Sequence, residues 1–199
     1  MAGTRVSEDV RREQILRGAF AVATRDGIGR LTVRAVAGEA AVSHALVLYH
    51  FKSRNALVHQ LLEWLLANTS VLRVSEDIAR FPRVLDRLHA LLQQEMSRLS
   101  HEPQHTRLFY EFWALGVRDE SIRDRISAEL ERYRAAFREI MEELRVAEPS
   151  SFGKVTADGM AAVAVSWIHG CAVQAMIDPA HFDTEEYLAA VRGIVGQLG

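Results

Sequence analysis

Apolar residues recur along this chain at three- and four-residue spacing nearly from end to end, and no stretch alternates as a half-buried strand does. The pattern predicts an all-α protein of about nine helices. The first starts at Ser7, a good N-cap type, and sets Ile15, Leu16, Ala19, Phe20 and Ala23 on one face until Gly27 stops it in the left-handed region. Thr32 opens a short helix with Val33, Val36 and Ala37. After a break at Ala40-Ala41-Val42, Ser43 opens another through about Tyr49. Ser53 caps a long fourth helix bearing Leu57, Leu61, Trp64, Leu65 and Leu72.

The polar segment Ser75-Glu76-Asp77 follows. Pro82 then suits the first turn of a fifth helix, with Val84, Leu85, Leu88, Leu91, Leu92, Met96 and Leu99 facing inward. Pro103 precedes a sixth helix carrying Leu108, Phe109, Phe112 and Trp113 and ending near Gly116. A seventh runs from about Asp119 to Leu144 with Ile122, Ile126, Leu130, Tyr133, Phe137, Ile140 and Met141 at helical spacing. Residues 148–153 read as a loop. The eighth helix, about Val155 to Ile177, is apolar on most sides until Asp178-Pro179 ends it. Asp183 with Glu186 resembles a capping box for a ninth helix holding Leu188, Val191, Ile194, Val195 and Leu198.

Composition adds that 49% hydrophobic and 25% charged residues over 199 positions suit a globular protein able to bury its own core. The lone Cys171 excludes an internal disulfide and a cysteine-cluster metal site, and fits a reducing cytoplasm. The charged run from Ser7 to Gln14 has no apolar stretch behind it, unlike a signal peptide. Met160 to Ile177 is the most apolar stretch, but it contains Ser166, His169 and Gln174 and reads as a buried helix, so no membrane partner is expected. The net charge of −2 conceals an asymmetry. Through Arg54 the chain carries nine basic and five acidic residues, and the remainder fifteen basic and twenty-one acidic. A basic head on an acidic body suggests an end that faces a polyanion.

Thr32 to Phe51 has the form of a helix-turn-helix, whose second helix lies in the DNA major groove. Val36, Val42 and Val47 suit the contact between its helices, and Ala37 and Ala41 are small where they approach. Thr32, with Val33 and Arg34 behind it, and Ser43 stand at helix starts, where free N–H groups attract phosphate oxygens. His44 suits base edges and Ala45 a thymine methyl. Tyr49, His50 and Lys52 are placed for phosphate contacts, and Arg5, Arg11 and Arg12 suit an N-terminal arm. The bland alternative is a short helical hairpin inside an all-α core.

Arg12 to Leu65 resembles the N-terminal domain of the TetR family of bacterial transcription regulators. The resemblance is carried by Ile15-Leu16-Arg17-Gly18-Ala19-Phe20, Gly27, Leu31-Thr32-Val33-Arg34-Ala35-Val36-Ala37, Ala40-Ala41-Val42-Ser43, Tyr49-His50-Phe51-Lys52-Ser53-Arg54 and Leu57. Two departures stand out. The family usually has glycine where this chain has Ala41, which is tolerable if the backbone there is not left-handed. It also commonly has tyrosine where Leu48 stands, with Tyr49 one place later. The resemblance implies a DNA-binding head at 1–54 and a helical effector-binding and dimerisation body at 55–199. It implies a homodimer paired through the last two helices and a repressor released from palindromic operator DNA by a small-molecule effector. The eighth helix supports pairing through its small residues Ala157, Ala161, Ala164, Cys171, Ala172 and Ala175, with Ile168 among them.

Inner-face aromatics and polar groups of the fourth to seventh helices are candidates for the effector site: Trp64, Phe81, His89, Phe109, Phe112, Trp113 and Tyr133, with Met141, Trp167 and Gln174 beside them. Core filling is the plain alternative for each. The effector class they suit is aromatic, apolar or cationic. An aromatic box holds a quaternary ammonium ion, and the body loosely resembles the choline-responsive branch of the family. The string His101-Glu102-Pro103-Gln104-His105 matches a zinc-protease motif in letters, but Pro103 starts a helix more readily than it continues one, which turns His101 away. No catalytic residues, metal or cofactor are assigned. A helical enzyme, or a protein-binding adaptor, using the same body is the alternative to a regulator.

Overall fold

The computed structural model describes residues 7–68 and 75–196. Among them are eleven α-helices, one 3₁₀ turn and no strand. They are α1 (Glu8–Asp26), α2 (Val33–Glu39), α3 (His44–Phe51), α4 (Arg54–Asn68), α5 (Glu76–Ala79), α6 (Val84–His101), α7 (Pro103–Gly116), α8 (Glu120–Ala147), α9 (Pro149–Phe152), α10 (Ala157–Ile177) and α11 (Thr184–Gly196), with the 3₁₀ turn at Ile28–Arg30. The nine longer helices are those predicted. The two additions are single turns, too short to leave a periodic stripe. Ser75 caps α5 by accepting from Ile78 N–H at 3.3 Å, and α9 starts on Pro149 and buries Phe152.

Several helix ends differ from expectation. Pro82 lies ahead of α6, whose N-cap is Arg83. Thr156 caps α10, so that helix starts two residues after Val155. Gly27 does end α1 at positive φ (84°), but its ψ of 155° is extended rather than left-handed helical. Leu72, Leu198 and Arg5 fall outside the described residues.

The chain divides into two compact units, Met1–Ser70 with Arg107–Ile126, and Val71–Thr106 with Ser127–Gly199. In the first, Ile15, Leu31, Val36, Val47, Leu57 and Leu61 are fully buried. Each such side chain contributes about 1.5–3 kcal/mol on leaving water. Gly18 lets α1 approach the end of α2, because a Cβ there would lie 2.9 Å from that of Ala40. Gln14 Nε2 donates to the Ala40 carbonyl at 2.7 Å across the same junction.

In the second unit, residues of α6, α8, α10 and α11 share one core around Leu91, Leu92, Met96, Phe137, Ala161 and Ile168. This corrects the reading of the eighth helix. Ala157, Ala161, Ala164, Ile168, Cys171 and Ala172 are buried in the chain's own core, so they are not a face for a second copy. The outward face of α10 carries Ala162, Val163, Ser166, Val173, Gln174 and Ile177 instead. Ile194, expected inside, is 53% exposed on α11. By length and composition alone α10 is apolar enough to cross a membrane, yet seven of its residues are buried.

Candidate nucleic-acid interface

The two short helices are set by their ends. Thr32 caps α2, its hydroxyl accepting from Ala35 N–H at 3.1 Å. Ser43 caps α3 in the same way through Leu46 N–H, also at 3.1 Å. In both cases the oxygen accepts within the helix while the hydroxyl proton stays available to a phosphate oxygen. Between them α2 ends in a Schellman motif: Val42 N–H donates to Ala37 C=O at 2.9 Å and Ala41 N–H to Gly38 C=O at 3.2 Å. That motif needs a left-handed residue, and Ala41 supplies it at φ 51°. The condition under which alanine is readily tolerated, a backbone outside the left-handed region, is therefore not met here. The turn keeps the glycine geometry with an alanine in place.

The far end of α3 is also strained. Lys52 stands at φ 63°, ψ −43°, at the centre of a γ-turn closed by Ser53 N–H to Phe51 C=O at 2.7 Å. Its Nζ donates to the Tyr49 carbonyl at 2.9 Å and lies 5.3 Å from the Tyr49 ring centroid. Val47 and Phe51 point inward and are buried, whereas Ser43, His44, Ala45, Tyr49 and Lys52 are exposed, Tyr49 by 63%. Thr32 and Arg34 are exposed and Val33 is half-buried.

His50 departs from this surface. Its side chain is 4% exposed, and its Nδ1 lies 3.9 Å from the Glu8 carboxylate, with no hydrogen-bond partner among the described residues. As α3 turns, position 50 falls on the flank toward α1, so the imidazole is unavailable to a phosphate. Arg12 is likewise a strut rather than an arm. It donates to His50 C=O at 3.0 Å and to Gln60 Oε1 at 2.9 Å, and its guanidinium lies 4.8 Å from the Phe51 ring centroid.

Other positioning residues leave no trace in local spacing, because their partners are distant in sequence. Arg54 donates to Leu31 C=O at 2.6 Å and to Ile28 C=O at 2.8 Å. Glu111 accepts from Ile28 N–H at 2.9 Å. Together they hold the turn that precedes Thr32.

The anticipated effector residues are divided between the two compact units. Trp64 donates its Nε1–H to Glu13 at 2.7 Å and packs 5.5 Å from Phe20, against α1. Phe109, Phe112 and Trp113 lie on the part of α7 within the first unit, with Phe112 fully buried and Trp113 edge-on to Phe109 at 5.7 Å. Phe81 is 44% exposed ahead of α6, and Gln174 is exposed on α10. His89 is partly buried on α6. Burial, then the nearby Arg192, lower its pKa.

Tyr133 belongs to a buried polar cluster in the second unit. Its hydroxyl donates to Glu95, which is 1% exposed, and accepts from Arg98 Nη2 at 3.1 Å. Arg98 also donates to Glu95 through Nε at 3.0 Å and Nη2 at 2.8 Å. Burial and the Glu95 charge raise the Tyr133 pKa. His169 lies 5.9 Å from the Tyr133 ring, and burial, then Arg98, bring its pKa down to about 4. Met141 and Trp167 line a cleft of ≈ 510 Å³ bounded by α6, α8, α9, α10 and α11. Of the zinc-like string, His101 contacts the Ser97 carbonyl at 2.7 Å and Glu102 caps α6.

Residues 15–61 match the family model described as bacterial regulatory proteins, tetR family. Residues 84–199 match that of the BetI-type transcriptional repressor C-terminal region. Curated relatives include the nucleoid occlusion factor SlmA of Vibrio atlanticus, 31% identical over 153 residues, and that of Vibrio vulnificus, 29% identical over 153 residues; each alignment covers 76% of both chains. A transcriptional regulator structure from Pseudomonas aeruginosa is 22% identical, covers 98% of this chain and 92% of its own, and has a TM-score of 0.77. A Saccharomonospora viridis regulator solved in complex with choline is 16% identical over 95% of this chain and 97% of its own, with a TM-score of 0.73.

Proposed function

This chain belongs to the TetR family of bacterial regulatory proteins, and from that premise we propose that it is an effector-responsive repressor that binds a palindromic operator as a homodimer. Its fold is that of a DNA-binding transcriptional regulator. The observation that carries the finer reading is the outward face of α3, where Ser43, His44, Ala45 and Tyr49 are exposed between two conformationally strained residues. Strain of about 1–3 kcal/mol at each persists only where surrounding contacts enforce it, and such sites cluster at functional surfaces. In this reading residues 1–54 are the head. Thr32, Ser43, Tyr49 and Lys52 contact phosphates, with Val33 and Arg34 beside them, and His44 and Ala45 face bases.

The outward apolar faces of α10 and α11, with Val163 47%, Ile177 80% and Ile194 53% exposed, support pairing of two copies there. Two-fold pairing sets two α3 helices about 34–36 Å apart, one DNA turn. Effector binding shifts the population of dimers whose heads fit that spacing. The complex of a structural neighbour with choline supports a small-molecule effector.

Selection of bound fragments from genomic DNA, followed by equilibrium binding to the selected duplex, tests this. The expected result is a two-fold-symmetric site near one or a few promoters. Relatives named nucleoid occlusion factors favour a second reading, a DNA-bound protein that acts away from promoters. Sites scattered along the chromosome without promoter association would support that instead.

A further inference from the structure

Resting on the DNA-binding role just proposed, we infer that Glu111, on α7 and far in sequence from the head, is a positioning residue for the DNA interface. It acts through the turn from which α2 presents Thr32 and Arg34. That turn, residues 27–31, runs directly into Thr32. Within it the N–H groups of Gly27, Arg30 and Leu31 each find a backbone carbonyl, at 2.8, 3.1 and 3.2 Å. Ile28 is 4% exposed, and its N–H donates instead to Glu111 Oε2 at 2.9 Å. Its carbonyl accepts from Arg54 at 2.8 Å, and that of Leu31 from Arg54 at 2.6 Å. The last residue before the α2 cap is thus tied to α4, and the first buried one to α7. The segment of α7 that carries Glu111 belongs to the same compact unit as the turn.

The presence of a carboxylate here runs against charge alone. An acidic group in a DNA-binding unit repels phosphate, so its removal should strengthen binding to every duplex. The turn supplies the opposite effect. A buried N–H needs an acceptor, and an ionised acceptor holds it more firmly than a neutral one. Without that acceptor the turn opens to hydrate the Ile28 amide, and α2 leaves the position it holds before DNA arrives. Binding then has to restore it, which lowers affinity. Positioning and charge therefore predict changes of opposite sign. Glutamine keeps the acceptor oxygen at the same reach and removes the charge. Aspartate keeps the charge and is one methylene too short.

Equilibrium binding of the full-length variants to the duplex selected by the wild-type chain tests this, at a temperature where their helical signal equals that of the wild type. Glu111→Ala and Glu111→Asp should weaken binding by about tenfold, and Glu111→Gln should bind at least as tightly as the wild type. Glu111→Asp carries the reading if Glu111→Ala fails to fold. In an Arg34→Ala background Glu111→Asp should cost about threefold or less, because the contact it positions is already gone; in Lys52→Ala, on α3, the full loss should remain. Amide exchange reads the turn without DNA. The Ile28 N–H should exchange about tenfold faster in Glu111→Asp and at the wild-type rate in Glu111→Gln. Unchanged or tighter binding by the Ala and Asp variants, equal losses in all three, or the same loss in both backgrounds overturns the assignment. A wild-type chain that selects no duplex, with the exchange pattern as expected, overturns the DNA-binding role instead. Selection of a duplex with Ile28 exchange unmoved in every variant overturns the role of Glu111 alone.

Discussion

At φ 51° the Cβ of Ala41 crowds its own carbonyl, a cost of about 1–2 kcal/mol that glycine avoids. Glycine gives back about 0.5–1 kcal/mol through the freedom it adds to the unfolded chain. Ala41→Gly should therefore stabilise the protein by about 0.5–1 kcal/mol, read as a higher denaturation midpoint at unchanged slope. An unchanged or lower midpoint would mean the turn does not carry that strain. Lys52 separates strain from charge. Lys52→Ala keeps the γ-turn conformation but removes the cation, so binding should weaken similarly for all duplexes and the salt slope should fall by about one. A constant slope would remove Lys52 from the phosphate contacts. His44→Ala should change which bases are preferred, as read by binding-site selection; an identical selected motif would exclude His44 from base reading. The residue types at these positions were legible in sequence, because caps and turns depend on neighbours. The burial of His50 was not, because it depends on how α3 lies against α1, which brings Glu8 and Arg12 to it from about forty residues away.

Whole helices were legible wherever an apolar stripe ran for two turns or more. α5 and α9, at four residues each, fell below that threshold. The side of α10 that faces inward was misread for a different reason. A helix apolar all round gives no phase, and here the small side chains Ala161, Ala164 and Cys171 went to the chain's own core while larger ones such as Val163 and Ile177 remained outside. On α6 and α8 the polar cluster has a clear energetic signature. Glu95→Ala takes the near, buried carboxylate from the Arg98 guanidinium, 15% exposed, leaves it only the more distant Glu102 at 3.9 Å, and should cost about 3 kcal/mol. Adding Arg98→Met to that variant should recover part of the loss, since the largely buried charge that has lost its near partner is then gone. Urea unfolding of the two single variants and the double variant measures this, and strict additivity would show that the pair is not coupled.

For the molecule as a whole, buried histidine ties stability to pH. His169 titrates near 4 when folded and at 6.5 in the unfolded chain, so between those values only the unfolded chain takes up its proton. Its contribution is complete above pH 6.5, declines as pH falls toward 4, and amounts to about 3 kcal/mol across that window. His89, also lowered by burial, acts in the same direction. Unfolding at pH 7 and pH 5 should show the wild-type chain losing more stability than His169→Asn, and equal losses would contradict this. The most direct measurement is equilibrium binding of the purified chain to its selected duplex and to an unrelated one at physiological ionic strength, with the stoichiometry read from the same titration. The account predicts two chains per site, at half-sites one turn apart, and a preference of at least about a thousandfold; a single bound chain, or equal affinity for both duplexes, would contradict it.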